Sequence, residues 1–166
     1  MKSAQEILQK GKVLLKDLPN SSLEAKLLFF ASVSLSEEKF YSEPDVLLSS
    51  AQEKKYLRMV KKRLNGVPSA YLTGSKEFWS LSYKVRPGVL IPRPETELLV
   101  EKTLELSTGE EEIIVDIGTG CGNIAISLAK ELGRAEIYAT DISKKALDIA
   151  RKNVLLQGKS RITHNI

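Results

Sequence analysis

The sequence predicts an α/β chain in which a small helical bundle is followed by a β-hairpin linker and a parallel-sheet domain. Serine-led capping patterns open amphipathic stretches in residues 1–65, which indicates helices. A partly alternating segment, residues 78–85, then indicates a strand. From Glu112 onward the order of apolar runs is βαβα(β), which predicts a parallel sheet with right-handed crossovers.

The helical part is delimited by three S-x-x-E capping patterns and by helix-stopping residues. The patterns begin at Ser3, Ser21 and Ser50, and a further short helix is expected near Ser36. Helix ends are expected at Pro19 and Gly66. The expected core positions are Ile7, Leu8, Leu14, Leu15, Leu18, Leu23, Leu27, Leu28, Phe30, Ala31, Tyr56, Leu57, Val60 and Leu64.

The later elements follow from changes in hydrophobic period. A strand over residues 78–85, a turn at Pro87-Gly88 and a second strand over 89–91 form the predicted hairpin. A helix from residue 92 to about 107 comes next. Residues 113–115 form a buried strand, and a helix, a strand and another helix are expected at 123–132, 136–140 and 143–157. Ile162 is expected in a third strand.

Composition narrows the functional classes. The 166 residues are 42% hydrophobic and 28% charged, the balance of a globular protein with a core. No apolar run approaches the roughly 20 residues of a membrane span, and the polar start does not resemble a signal peptide. We therefore expect a cytoplasmic protein without a membrane partner. The single Cys121 and single His164 exclude an internal disulfide and a Cys/His zinc site, so no metal site is expected.

The net charge of +4 is concentrated in the helical part. Residues 1–75 carry 12 basic and 8 acidic side chains. Such an excess is typical of a solvated helical surface, and weak attraction to RNA or to an acidic partner is the alternative.

The strongest local signal is the glycine loop, residues 116–122, which reads D-x-G-x-G-x-G between a strand and a helix. Its glycines allow a tight turn and the close approach of a ligand, and the helix N-terminus offers donors to a phosphate or a carboxylate. The dinucleotide fingerprint needs glycine where Asn123 stands. Asp141, 23 residues after Gly118, can accept hydrogen bonds from the ribose hydroxyls of S-adenosylmethionine or of NAD.

Two side chains of the glycine loop leave alternatives open. Asp116 lies at the strand end, where it can reach a ligand ammonium group or only cap the turn. Cys121 is a candidate nucleophile because a helix N-terminus lowers a thiol pKa, but it has no basic partner and a small residue suffices there.

The loop pattern resembles motif I of class I S-adenosylmethionine-dependent methyltransferases. Across residues 60–157 the chain resembles one family, the release-factor glutamine N5-methyltransferases. The motifs that carry this resemblance are Gly66-Val67-Pro68 with Tyr71, Glu77-Phe78-Trp79, Leu90-Ile91-Pro92-Arg93-Pro94-Glu95-Thr96-Glu97, residues 116–125 and Ala139-Thr140-Asp141-Ile142-Ser143.

The resemblance implies methyl transfer from S-adenosylmethionine to the side-chain amide nitrogen of glutamine in the Gly-Gly-Gln motif of peptide-chain release factors. It implies no nucleic-acid partner and no catalytic residue in this chain. It places Arg93, Glu95 and Thr96 near the approach to cofactor or substrate, although an Arg93–Glu95 ion pair that fixes the hairpin is an alternative. The implied cofactor-binding residues are Asp116, Gly118, Thr119, Gly120, Cys121, Gly122 and Asp141.

The family's Asn-Pro-Pro-Tyr motif, which supplies acceptors for the substrate amide, is not in this sequence. We therefore expect a chain truncated before that motif and inactive alone. The expected domains are a helical substrate-recognition domain (1–73), a β-hairpin linker (74–94) and the N-terminal half of a Rossmann-like class I methyltransferase domain (95–166). A full-length protein is expected to be monomeric. The truncated sheet, with an unpaired edge and uncovered apolar surface, is expected to be marginally stable or to self-associate.

Two other functions remain open from the sequence. One is methylation of a different protein glutamine or of a nucleic-acid adenine. The other is a cofactor-binding or partner-binding module without catalysis.

Overall fold

The computed structural model describes residues 2–43, 45–158 and, as backbone, 162–165. Two compact units divide the chain, residues 1–73 and residues 74–166. The elements of the first unit are β1 (Lys2–Ser3), α1 (Ala4–Leu14), α2 (Ser21–Ser32), α3 (Glu37–Ser42), β2 (Leu47–Leu48), α4 (Ser50–Leu64) and α5 (Ser69–Thr73). Those of the second are β3 (Ser75–Phe78), β4 (Leu81–Lys84), the 3₁₀ turn η1 (Pro94–Thr96), α6 (Glu97–Leu106), β5 (Ile113–Ile117), α7 (Asn123–Glu131), β6 (Glu136–Thr140), α8 (Lys144–Leu156) and β7 (Ile162–Asn165).

The helix starts of the first unit agree only partly with the predicted capping patterns. Ser3 and Glu6 form the reciprocal capping box at the start of α1. The box predicted at Ser50 is wrong by one residue, because Ser49 caps α4 together with Gln52. The Glu53 carboxylate instead accepts from the Lys2 ammonium at 2.8 Å.

The box predicted at Ser21 is absent. Asn20, in the left-handed conformation, precedes α2 without a side-chain cap. The Glu24 carboxylate that would complete the box is bound elsewhere, since it accepts from Arg63 Nε at 3.0 Å and from the Ser69 hydroxyl. A half-buried ion pair with two partners outcompetes a surface cap that is worth about 1 kcal/mol.

Aromatic rings form the centre of the first unit. The Phe29 ring meets the Tyr56 ring edge to face at 5.3 Å between centroids and the Phe40 ring at 5.6 Å. The predicted face of α2 is wrong in part, because Leu23 and Leu27 are exposed and Phe29 is buried instead. Helix α2 carries apolar residues on almost every side, so periodicity alone does not select its buried face.

The β3–β4 hairpin opens the second unit with a turn that the sequence did not predict. Phe78 pairs with Leu81, so Trp79 and Ser80 form a two-residue turn with φ values of 51° and 54°. Positive φ at both residues is typical of a type I′ turn, which usually contains glycine or asparagine. The predicted continuous strand over 78–85 is therefore wrong, and no strand forms at 89–91.

A parallel sheet in the order β5-β6-β7 follows, as predicted, with Ile162 in β7. Helices α7 and α8 bury Ala125, Ile126, Leu147 and Ala150. The expectation of a buried first strand is wrong for one face of β5, since Ile113, Val115 and Ile117 are exposed. The carboxyl ends of β5 and β6 lie side by side, which brings together the segments that follow them.

Within the part of the chain that the structure describes, none of the helices combines the length and the apolar character that crossing a membrane demands.

The first unit contains one close helix contact that yields a stability prediction. A Cβ at Gly11 would overlap the Tyr56 hydroxyl and ring. Helix propensity favours alanine by about 1 kcal/mol, whereas overpacking costs about 1–3 kcal/mol. We expect Gly11→Ala to lower the free energy of unfolding in a urea titration followed by far-ultraviolet circular dichroism. Gln9→Ala, at an exposed position of α1, is the control and should change it by less than about 0.5 kcal/mol. Stabilisation by Gly11→Ala would contradict this packing.

Candidate functional site

The glycine loop is tied to the neighbouring strand by its backbone. The N–H groups of Gly118 and Thr119 both donate to the carbonyl oxygen of Thr140, the last residue of β6, at 2.9 and 2.8 Å. Two consecutive amides thus share one acceptor at the edge where β5 and β6 end. The loop therefore turns across the carboxyl ends of both strands, the position at which open α/β sheets bind their ligands.

Asp141 closes the loop from the other side. One carboxylate oxygen accepts from the N–H of Gly120 at 2.9 Å, and the other accepts from the N–H of Ser143 at 2.8 Å. The two segments that the sequence singled out, residues 116–122 and Asp141, are therefore brought into direct contact. Asp141 as a residue is only partly buried.

Asp116 is the second carboxylate of the site. Its Oδ2 accepts from the Thr119 hydroxyl at 2.7 Å, so the buried Thr119 side chain is committed within the loop. Burial raises the pKa of Asp116, and the nearby charge of Asp141 acts in the same direction. The site thus holds two neighbouring acids, one of them desolvated.

The three glycines of the loop divide into two kinds. Gly118 and Gly120 have φ values of +79° and +59°, and a Cβ at either would meet no atom within 4 Å. Gly122, with φ of +84°, has no such space, because its Cβ would lie 3.0 Å from Ile126 Cδ1 and 3.2 Å from Ala150 Cβ. Gly122 therefore lets α7 and α8 approach each other, while Gly118 and Gly120 border open space.

Cys121 is not a nucleophile in this structure. The side chain is buried, and its thiol lies 3.5 Å from Asn123 Oδ1, to which it donates. Burial raises the pKa of the thiol to about 11, so the predicted lowering by the helix N-terminus is wrong. Desolvation outweighs the helix dipole here.

The residues of the Arg93–Thr96 segment lie at η1 and the start of α6. Arg93 and Glu95 are exposed, and among the described residues no ion pair joins them. The hairpin is held instead by Glu97, whose carboxylate accepts from the Trp79 backbone N–H at 2.7 Å. Glu97 is the last residue of the motif at residues 90–97. Its place in that motif was the sequence signal that could have singled it out.

Two buried polar residues of the second unit were missed from the sequence. The Tyr83 hydroxyl donates to the Asn123 carbonyl at 3.2 Å and lies 2.9 Å from Ser127 Oγ. Burial raises the pKa of Tyr83, so this phenol stays neutral. Asn153, on the apolar face of α8, bonds to the backbone of both β4 and the glycine loop. The sequence signal for Asn153 was a polar residue at an apolar position of a predicted helix.

Comparison with known proteins gives matches in both units. Residues 6–74 match the family model described as the PrmC N-terminal domain, and residues 94–165 match the methyltransferase small domain. The release factor glutamine methyltransferase of Coxiella burnetii is 46% identical over 132 residues, which is 79% of this chain and 48% of that protein. The one from Moorella thermoacetica is 43% identical over 143 residues, 85% of this chain and 50% of that protein.

Among solved structures, a Pyrococcus abyssi tRNA (uracil-54, C5)-methyltransferase in complex with S-adenosyl-L-homocysteine matches with a TM-score of 0.46 and 26% identity, over 55% of this chain and 22% of that one. The chain spans about half the length of the curated relatives it matches. Each unit matches a family model, and relatives that share one name cover 79% and 85% of the chain. The chain belongs to the release factor glutamine methyltransferase family.

Proposed function

We propose that this chain contributes the cofactor site and a substrate-recognising domain to a methyltransferase that acts on a release factor. The reaction moves a methyl group from S-adenosylmethionine to the side-chain amide nitrogen of a glutamine in the Gly-Gly-Gln motif. The similarity of both units to release factor glutamine methyltransferases supports the substrate. The hydrogen bonding of the glycine loop supports the cofactor.

The observation that carries the choice of cofactor is that four of the loop amides are already bonded within the protein. The N–H groups of Gly118 and Thr119 donate to Thr140, that of Gly120 to Asp141, and that of Gly122 to the Thr119 carbonyl. A pyrophosphate needs such donors and is repelled by Asp116 and Asp141. A cationic, phosphate-free nucleoside fits this acidic loop better than a dinucleotide does.

In this proposal the loop residues have different roles. The backbone at Gly118 and Gly120 borders the cofactor, Asp141 accepts from its ribose hydroxyls, and Asp116 faces its ammonium group. Thr119, Cys121 and Gly122 support the loop from the protein side. Thr119 holds Asp116 by a hydrogen bond, and Cys121 and Gly122 pack the loop against the helices. When bound, S-adenosylmethionine supplies an electrophilic methyl group on a sulfonium sulfur.

The amide nitrogen of glutamine is a poor nucleophile because its lone pair is delocalised into the carbonyl group. Orientation is therefore the main contribution that the protein makes to the reaction. We assign Arg93, Glu95 and Thr96 to the approach of the substrate, since Arg93 and Glu95 are exposed and unpaired with each other. Residues 1–73 are assigned to recognition of the release factor, and their basic excess favours an acidic partner surface.

The substrate can be tested with a chimera, because the chain spans about half of its relatives. In the chimera, residues 1–166 replace the matching segment of the Coxiella burnetii protein. We expect transfer of labelled methyl from S-adenosylmethionine to a release factor that contains Gly-Gly-Gln, and no transfer when that glutamine is replaced by alanine. Labelling of DNA adenine or of another protein's glutamine, with the release factor unlabelled, would overturn the substrate and leave the cofactor in place.

The open space at Gly120 gives a binding test for the cofactor. We expect the chain to bind S-adenosylmethionine in equilibrium dialysis and NAD not to displace it. Gly120→Ala should weaken binding at least about tenfold, because its Cβ enters the space beside the loop. Gly109→Ala is the matched control, since Gly109 also has positive φ and open surroundings but lies outside the loop.

Both alanine variants share a backbone penalty of about 1–2 kcal/mol for a left-handed non-glycine residue. Equal affinities of the two variants would therefore contradict a ligand site at Gly120. Displacement of S-adenosylmethionine by NAD would contradict the choice of cofactor.

The raised pKa of Asp116 gives a test that depends on pH. A carboxyl group whose pKa is raised by folding stabilises the folded state at low pH, and this contribution is lost as pH rises through the folded-state pKa. Asp116→Asn should therefore gain in free energy of unfolding relative to wild type as pH rises from about 4 to 7. The measurement is urea unfolding followed by the fluorescence of Trp79, the single tryptophan.

The same Asp116→Asn variant should bind S-adenosylmethionine more weakly at neutral pH, since the charge that faces the ammonium group is gone. Asp17→Asn, at an exposed position of the first unit, controls for the removal of one negative charge. The role given to Asp116 would be refuted if the free energy of unfolding of Asp116→Asn falls relative to wild type as pH rises. It would also be refuted if the variant binds S-adenosylmethionine as tightly as wild type.

A further inference from the structure

We infer that Asn153 is a positioning residue that links the β3–β4 hairpin to the glycine loop, so that removing its carboxamide loosens the hairpin and the ligand-binding shape of the loop together. This inference rests on the proposed function for its consequence, cofactor affinity. The linkage itself is a property of the second unit alone.

The Asn153 carboxamide bonds to Lys84 of β4 in the way that the backbone of a neighbouring strand would. Asn153 is fully buried, and its Oδ1 accepts from the backbone N–H of Lys84 at 2.7 Å. Its Nδ2 donates to the Lys84 carbonyl at 3.0 Å and to the Cys121 carbonyl at 2.9 Å. The carboxamide thus pairs with both polar groups of one residue of β4 and uses its second N–H for the loop. All its hydrogens are bonded, as a buried amide requires.

The contact at Cys121 lies at a sensitive point of the loop. The preceding residue, Gly120, donates its N–H to Asp141, and the following one, Gly122, packs against Ala150 of α8. Asn153 therefore holds the carbonyl between the open part of the loop and the packed part. Without this bond a buried carbonyl oxygen is left without its amide partner, and the peptide at residues 121–122 keeps only the bond from the Gly122 N–H to the Thr119 carbonyl.

The hairpin is fastened at other points as well. Its tip is held because the Trp79 indole N–H donates to Glu131 at 2.9 Å, and Tyr83 reaches Ser127 of α7. Both bonds end on helix α7 and neither touches the backbone of residues 116–122. They supply a comparison: breaking them loosens the hairpin, whereas breaking the Asn153 bonds loosens the hairpin and the loop together.

The experiment compares Asn153→Ala with Ser127→Ala in the full chain. Ser127→Ala removes one buried hydrogen bond to the hairpin and none to the loop. Amide hydrogen exchange without ligand is expected to accelerate in both the β4 and the 116–122 peptides of Asn153→Ala. In Ser127→Ala only the β4 and α7 peptides should accelerate. If exchange in Asn153→Ala accelerates in the β4 peptide but not in the 116–122 peptide, the inference is overturned.

A second arm measures affinity for S-adenosylmethionine by equilibrium dialysis. We expect Asn153→Ala to bind about tenfold more weakly and Ser127→Ala to stay within about twofold of wild type. Equal affinities of the two variants overturn the positioning role. If wild type itself does not bind, the proposed function fails, and the exchange arm still decides whether Asn153 links hairpin and loop.

Asn153→Asp covers the case in which the alanine variant does not fold. It keeps nearly the same shape and the acceptor for Lys84 N–H, but it sets an oxygen against the carbonyl groups of Lys84 and Cys121. It should show the same double acceleration of exchange. Wild-type exchange in both segments of this variant would overturn the inference equally.

Discussion

The site depends on one contact, in which the Thr140 carbonyl accepts hydrogen bonds from two consecutive loop amides. It lies where β5 and β6 end next to each other, and it exists because these strands are parallel and in register from Ile113–Glu136 to Ile117–Thr140. A shift of register would move that carbonyl away from Gly118 and Thr119. The loop conformation is therefore set by the pairing of the sheet, and Asp141 follows directly from the strand that supplies the acceptor.

The same bonds decide the chemistry of the loop. Amides that are bonded inward no longer attract phosphate, so the two carboxylates dominate the field at the surface of the loop. Asp141 by itself does not separate S-adenosylmethionine from NAD, because a ribose-binding acid serves either, and the sequence favoured S-adenosylmethionine only through the resemblance of the loop to motif I. The hydrogen-bond partners of the loop backbone are the observation on which the proposed choice of cofactor rests, and a sequence motif does not reveal those partners.

Strong local signals in the sequence predicted the βαβ order, the glycine loop and the place of Asp141, and the parallel sheet is confirmed. Predictions failed where two similar local options compete. Ser49 and Ser50 both offer a cap, and Glu24 can complete a box or pair with Arg63, so the choice depends on distant partners. The turn at Trp79-Ser80 lacks glycine, and its left-handed residues are held by Glu97 and Glu131, which are remote in sequence. The expected lowering of the Cys121 pKa was wrong because burial, which raises it, is a tertiary property.

The way Asn153 contacts β4 has a consequence for how such a chain can diverge. Its carboxamide hydrogen-bonds to backbone atoms of Lys84 and of Cys121. Amino-acid replacement at positions 84 and 121 therefore leaves these bonds intact wherever the new side chain can be packed. Insertion or deletion of a single residue between Ser80 and Lys84 instead reverses which face of the strand meets α8. Descendants of this sequence are thus free in composition at position 84 and constrained in the length of β4.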